Sequence, residues 1–154
     1  MFYSTVYRQT MFAEFEKMIY EEAEKDIPLT SNHLCNLYYE LNKKYFGDNI
    51  IVNEEIKYEW MRIPHFYLNF YVYQYATGLS AACYIVNRIR NKEENAVSDY
   101  LKFLSSGNSL DPIEELKLAG VDITKKEVIE SAINIFDELI DENKMYFFLE
   151  GFGE

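Results

Sequence analysis

IPHFYLNFYVYQYATGLSAACYIVN, residues 63–87, contains no Asp, Glu, Lys or Arg. The run is long enough to cross a bilayer. Against a membrane span stand Pro64, His65, Asn69, Gln74, Thr77, Ser80 and the tyrosine hydroxyls, all costly in hydrocarbon. A helix buried on all sides shows the same pattern. The run is therefore read as a break at Pro64 followed by a long central helix, from about Tyr67 to Arg90.

The flanking sequence reads as helices too. Val6, Tyr7, Met11, Phe15, Met18 and Ile19 recur near helical spacing and predict a helix from Tyr3 to Lys25. Pro28 biases Ile27 away from helix. Thr30 or Ser31 can cap a second helix through Lys44 with Leu34, Leu37, Tyr38, Leu41 and Tyr45 inward. Gly47-Asp48-Asn49 is a turn, and Asn53 caps a short helix to Arg62 that carries Ile56 and Trp60. Beyond the central helix, Asn91 to Glu94 precedes a helix through Leu104, and 105–109 is a loop. Asp111-Pro112 opens a helix that Gly120 stops. Thr124 with Glu127 predicts a capping box for a last helix, with Val128, Ala132, Ile135, Phe136, Leu139 and Ile140 as its stripe. Strand-like alternation is weak, and there is no repeat or low-complexity linker. The fold class is all-α, six to seven helices around the charge-free one, in a single domain over 1–154.

Charge and cysteine usage narrow the function classes. A net charge of −11 with no basic stripe argues against a nucleic-acid partner. Cys35 and Cys83 lie far apart and read as buried, reduced thiols. The start, MFYSTVYRQTMF, lacks the features of a signal peptide, so a cytoplasmic protein without a membrane partner is expected.

The aromatic content of 17% comes almost entirely from Tyr and Phe. At about 100° per residue, Tyr67, Tyr71 and Tyr75 fall within about 80° of one another on a helix. Gln74 and Gly78 fall beside them, His65 lies just upstream, and Tyr73 points elsewhere. Hydroxyls on one stripe can donate to a single carbonyl or oxyanion, and Gly78 would let another backbone approach. The same spacing also suits a core stripe whose hydroxyls meet neighbouring carbonyls. Nothing at i+4 from His33 completes a metal pair, so a solvated or capping role is expected. Glu21, Glu22, Glu24 and Asp26 read as a solvated face. Ser80 lacks the context of a nucleophile elbow.

Longer words carry a resemblance. YRQTMFAEFE (7–16), LYYELN (37–42), WMRIPHFY (60–67), FYVYQYATG (70–78) and AGVD (119–122) resemble, in order, the carboxy-terminal part of oligoendopeptidase F, a zinc peptidase of the thimet-oligopeptidase clan. The resemblance implies the carboxy-terminal part of a two-lobed, zincin-like helical fold with a channel for short peptides. In that family an H-E-x-x-H helix and a downstream glutamate hold zinc. Carried over by motif, it implies catalytic roles for His65, Tyr67 and Tyr71 in stabilising the oxyanion, with Tyr75, Gln74 and Gly78 lining the substrate site. Neither His33 nor His65 begins H-E-x-x-H, so no metal ligand and no cofactor is expected in this chain. The resemblance thus implies an excised domain, a truncated product or one piece of a split enzyme, inactive alone. A non-catalytic module binding peptide or protein, or a structural relic, would carry the same residues. Loss of the covering lobe would leave the apolar face of the first helix and the tyrosine stripe partly exposed, favouring self-association.

Overall fold

The computed structural model describes residues 2–150, and side chains as far as residue 142. The chain divides into two compact units, Met1–Ala76 and Thr77–Glu154. All regular structure among the described residues is helical. No helix among them is long and apolar enough to cross a membrane.

In the first unit a π-helical turn, Tyr3–Tyr7, runs into α1 (Arg8–Ala23). There Met11, Phe12 and Phe15 are buried with Glu16. Helix α2 (Ser31–Phe46) buries Cys35, Tyr38, Leu41 and Asn42, three- and four-residue steps that place them on one face. Phe15 meets Tyr38 edge-on at 5.1 Å, and Phe66 packs edge-on against Phe12 at 5.6 Å. Ile63 and Val72 complete this core. Burying each such large apolar side chain stabilises the unit by about 1.5–3 kcal/mol. On α1, Met11, Phe12 and Phe15 are thus covered from within the unit, while Met18 and Ile19 of the face expected to be partly exposed are only partly buried. Exposed large apolar residues of this unit include Ile50, Ile51, Tyr58 and Met61, and also Tyr67, Tyr71 and Tyr75 of the tyrosine stripe.

The caps explain where these helices begin and end. The Thr30 hydroxyl accepts the His33 N–H at 3.3 Å, as predicted for the start of α2. Gly47, at a φ of 71°, ends it. Residues Glu54–Arg62 and Pro64–Tyr67 form two 3-10 segments, separated by the extended residue Ile63.

Helix α3 is Tyr73–Arg90 and starts later than its sequence pattern predicts. Leu68 has left helical geometry and Phe70 is left-handed, with a φ of 55°. The Phe70 N–H donates to the Glu16 carboxylate at 2.7 Å, which takes it out of any helical ladder. Within α3 only Ser80, Ala81 and Ile85 are buried. Its lack of charge thus marks a helix buried along one stripe and not all round.

The second unit contains α4 (Ala96–Ser106), α5 (Pro112–Leu118) and α6 (Lys126–Glu150). Ala81, Ile85, Ala119, Val121 and Val128 form its core, with Tyr84, Tyr100, Phe103 and Leu116 packed against them. Arg88 ties the unit together, donating to the Ala119 carbonyl at 2.6 Å and to Glu93 at 3.0 Å. Gly120, at a φ of 73°, ends the α5 region as expected, and a Cβ there would lie 1.9 Å from an Arg88 nitrogen. The predicted capping box does not form. The Thr124 hydroxyl donates to Asp122 at 2.6 Å, and α6 begins at Lys126. On α6 Val128 and Ala132 are buried, while Leu139 is exposed. Both cysteines are free thiols. Cys35 is buried as expected and Cys83 only half-buried, with burial pushing the Cys83 thiol up.

Candidate functional site: a histidine and two tyrosines

Ile63 and Val72 are buried in the core of the first unit and bracket a short, exposed segment. Pro64 occupies the first turn of the 3-10 segment, where its fixed φ suits helical entry. His65 follows it, and the turn through Phe70 then delivers Tyr71. The first turn of α3 delivers Tyr75.

These three rings assemble. His65 and Tyr71 lie parallel, centroids 5.8 Å apart. Tyr75 stands edge-on to both, at 5.7 Å from His65 and 5.4 Å from Tyr71. Edge-to-face contact puts the positive rim of one ring on the negative face of another. The Tyr75 hydroxyl is 3.4 Å from His65 Nε2 and 3.4 Å from the Tyr71 hydroxyl. A phenol has one proton to donate, so it serves one of these acceptors at a time. The hydrogen bond to Tyr71, with some loss of hydration, pushes the Tyr75 hydroxyl above its ordinary range. It is a protonated donor at neutral pH. Tyr71 is 38% and Tyr75 37% exposed, leaving both open to an oxygen from outside.

Tyr67 does not join the cluster. It ends the 3-10 segment and is 83% exposed. The helical arithmetic that grouped it with Tyr71 and Tyr75 fails because residues 68–72 are not helical. Gln74 lies exposed in the first turn of α3. Gly78, described with the second unit, is exposed, and a Cβ there meets nothing within 4 Å. The close backbone approach expected at Gly78 is absent among the described residues.

Two carboxylates that the sequence reading passed over hold the first unit together. Glu59 accepts the Tyr38 hydroxyl at 2.8 Å and also pairs with Arg8 and Arg62. Burial pushes its carboxyl up, but the bonds from Tyr38 and Arg8 outweigh this and hold it below the usual range. Glu16 is 1% exposed and accepts Phe70 N–H. The available signal was its position, one turn from Phe12 and beside Phe15 on an apolar stripe. Glu22 is not simply solvated, since it pairs with His33 Nε2 at 2.6 Å. That contact gives His33 a partner in α1 beyond the expected solvated role.

A catalytic zinc takes three protein ligands and an open position. Among the described residues no group of three His, Cys, Asp or Glu can hold a metal ion, and His33–Glu22 supplies two. The described residues do not fit a catalytic zinc.

Comparison with known proteins adds an independent finding. Residues 2–135 match the model of Peptidase family M3. The chain is 54% identical over 141 residues to Oligopeptidase PepF of Bacillus subtilis, covering 92% of this chain and 21% of that one. It is 48% identical over 144 residues to an oligoendopeptidase F homolog of Borreliella burgdorferi, covering 94% and 24%. The crystal structure of oligoendopeptidase-F from Enterococcus faecium superposes with a TM-score of 0.91 at 48% identity, over 94% of this chain and 28% of that one. A putative peptidase from Chlamydophila abortus gives 0.84 at 45% identity. The chain spans between a fifth and a quarter of the length of these curated relatives.

Proposed function

The chain belongs to peptidase family M3, and from that membership we propose that it is the carboxy-terminal helical part of an oligoendopeptidase F-like zinc peptidase that hydrolyses short peptides. The observation that carries this reading is the open cluster of His65, Tyr71 and Tyr75 in a chain with such relatives. Amide hydrolysis places negative charge on the scissile carbonyl oxygen, and preorganised O–H and N–H donors stabilise it as it develops. The Tyr71 and Tyr75 hydroxyls and the His65 imidazole supply such donors at long, exchangeable distances. Tyr67, Gln74 and Gly78 stand along the substrate path, Tyr67 as an exposed contact to the peptide.

In this reading the metal and the general base come from the remaining length of the family's polypeptide, which this chain does not span. Alone the chain neither holds catalytic zinc nor cleaves peptides. It works in the cytoplasm on short peptides, without nucleic-acid or membrane partners, and self-association proceeds through exposed apolar surface such as Ile50, Ile51, Tyr58 and Met61.

Zinc content and cleavage of a quenched fluorescent peptide test this together. The chain alone is expected to show neither, and to support cleavage when joined to the remaining portion of a family member. Stoichiometric zinc with turnover by the chain alone would overturn it. Peptide binding by the chain alone that depends on Tyr67 or Tyr71 would instead identify a binding module.

A further inference from the structure

Glu16 is a carboxylate placed in a core. It lies on α1 one turn from Phe12 and next to Phe15, both core residues, and is 1% exposed. An ionisable group is costly there unless something compensates it, and an apolar residue of similar size would pack at least as well. Its Oε1 accepts the backbone N–H of Phe70 at 2.7 Å, across 54 residues of sequence.

Phe70 is an unusual recipient. Its φ of 55° lies in the left-handed region, where a large side chain is a true outlier. Such geometry persists where the surroundings over-determine it. Here the Glu16 carboxylate fixes the amide, the Tyr20 ring lies 4.8 Å from the Phe70 ring, and fully buried Val72 fixes the exit. The next residue after Phe70 is Tyr71, stacked on His65 and in contact with Tyr75. Continued helix would have aligned Tyr67 with Tyr71 and Tyr75, whereas the turn brings His65 to them.

We infer that Glu16 is a positioning residue for the His65–Tyr71–Tyr75 cluster: its buried carboxylate holds Phe70 in the left-handed turn and so sets where the Tyr71 hydroxyl lies. The placement stands on geometry alone, and only its catalytic consequence rests on the peptidase reading.

The test compares Glu16→Gln, which keeps an acceptor oxygen and the shape, with Glu16→Leu, which keeps only the bulk. The readout is ionisation of Tyr75 in the purified chain, assigned by difference against Tyr75→Phe. E16Q is expected to keep Tyr75 titrating above the ordinary tyrosine range. E16L is expected to return it to that range while the chain stays helical. A folded E16L with Tyr75 unchanged would overturn the inference. If E16L does not fold, E16L/F70G decides, because glycine accepts positive φ without the carboxylate. Recovery of a folded chain with Tyr75 still raised supports the role, and failure to recover shows that Glu16 serves the core and not the turn. In the assembled peptidase, E16L should lower kcat about 10–100-fold, the scale of a slightly misplaced group, with KM for a short peptide nearly unchanged. A displaced cluster with unaltered kcat would uphold the positioning role and overturn the oxyanion role of the cluster.

Discussion

Tyr38 and Tyr75 carry the same side chain to opposite ends. Tyr38 is fully buried and its hydroxyl donates to Glu59 at 2.8 Å, much as Tyr45 donates to Glu14 at 2.8 Å. Tyr75 is more than a third exposed, with its hydroxyl 3.4 Å from both His65 and Tyr71. The first pair is saturated, since a short bond to a charged acceptor leaves nothing to gain by exchanging partners. The second is loosely held, and exchange of a long contact for a short one to an incoming oxygen is favourable. A tyrosine-rich sequence therefore serves two purposes that composition does not separate. Tyr38 and Tyr45 join elements, and in the proposed function Tyr71 and Tyr75 present donors.

The sharpest way to break this comparison is activity. In the assembled peptidase, Tyr75→Phe or Tyr71→Phe is expected to lower kcat by about 10²–10³-fold, the cost of one oxyanion donor. Tyr38→Phe should leave kcat of the folded enzyme within about threefold of wild type, since Tyr38 lies outside the cluster. Equal losses at Tyr38 and Tyr75 in single-turnover kinetics would erase the distinction.

Stability should order the residues the other way. Tyr38→Phe removes a bond to a carboxylate and is expected to cost about 1.5–3 kcal/mol. Tyr75→Phe should stay within about 0.5 kcal/mol, as an exposed substitution does. Urea midpoints of the two variants measure both values directly.

Acid probes the carboxylates. The hydrogen bond from Lys44 holds Glu14 below its ordinary range despite some burial, and Tyr38 with Arg8 does so for Glu59. A carboxyl depressed in the fold stabilises it fully above the unfolded value and loses that contribution as pH falls through the folded one. Melting temperature should drop from the ordinary carboxylate range downward, and Glu59→Gln should flatten the drop. An unchanged acid slope in E59Q would show that Glu59 is not a linked group.

The smallest effect is alkaline. Burial, then Glu59, pushes Tyr38 far up, and burial with Glu14 does the same for Tyr45. Tyr75 is raised chiefly by Tyr71. A raised tyrosine stabilises the fold fully below the unfolded value and loses that contribution as pH rises through the folded one. Ultraviolet titration should show Tyr75 ionising reversibly in the folded chain, and Tyr38 and Tyr45 only as it unfolds. Ionisation of Tyr38 in step with Tyr75 would contradict their different burial.

Much of this architecture was legible because helix signals are local. Thr30 caps α2, Gly47 and Gly120 take positive φ, and Pro112 opens α5, each as its own chemistry dictates. Thr124 misled because its hydroxyl had a nearer partner in Asp122. At the site, the His65–Tyr71–Tyr75 grouping was readable in part. The helical period grouped Tyr71 with Tyr75, although Tyr71 lies before the start of α3 and the turn delivers it there, and proximity in sequence suggested His65. The same periodicity wrongly added Tyr67.

By itself the sequence determined an all-helical chain and most of its helix starts and stops, because capping, proline and the 3.6-residue period act within a few residues, and its longer words carried the family. Only the tertiary structure decided which tyrosines meet the histidine. Phe70 takes a backbone conformation that no local rule favours, and it is held by a carboxylate 54 residues away. A long-range hydrogen bond outweighed the local period there, and that bond places Tyr71 beside His65.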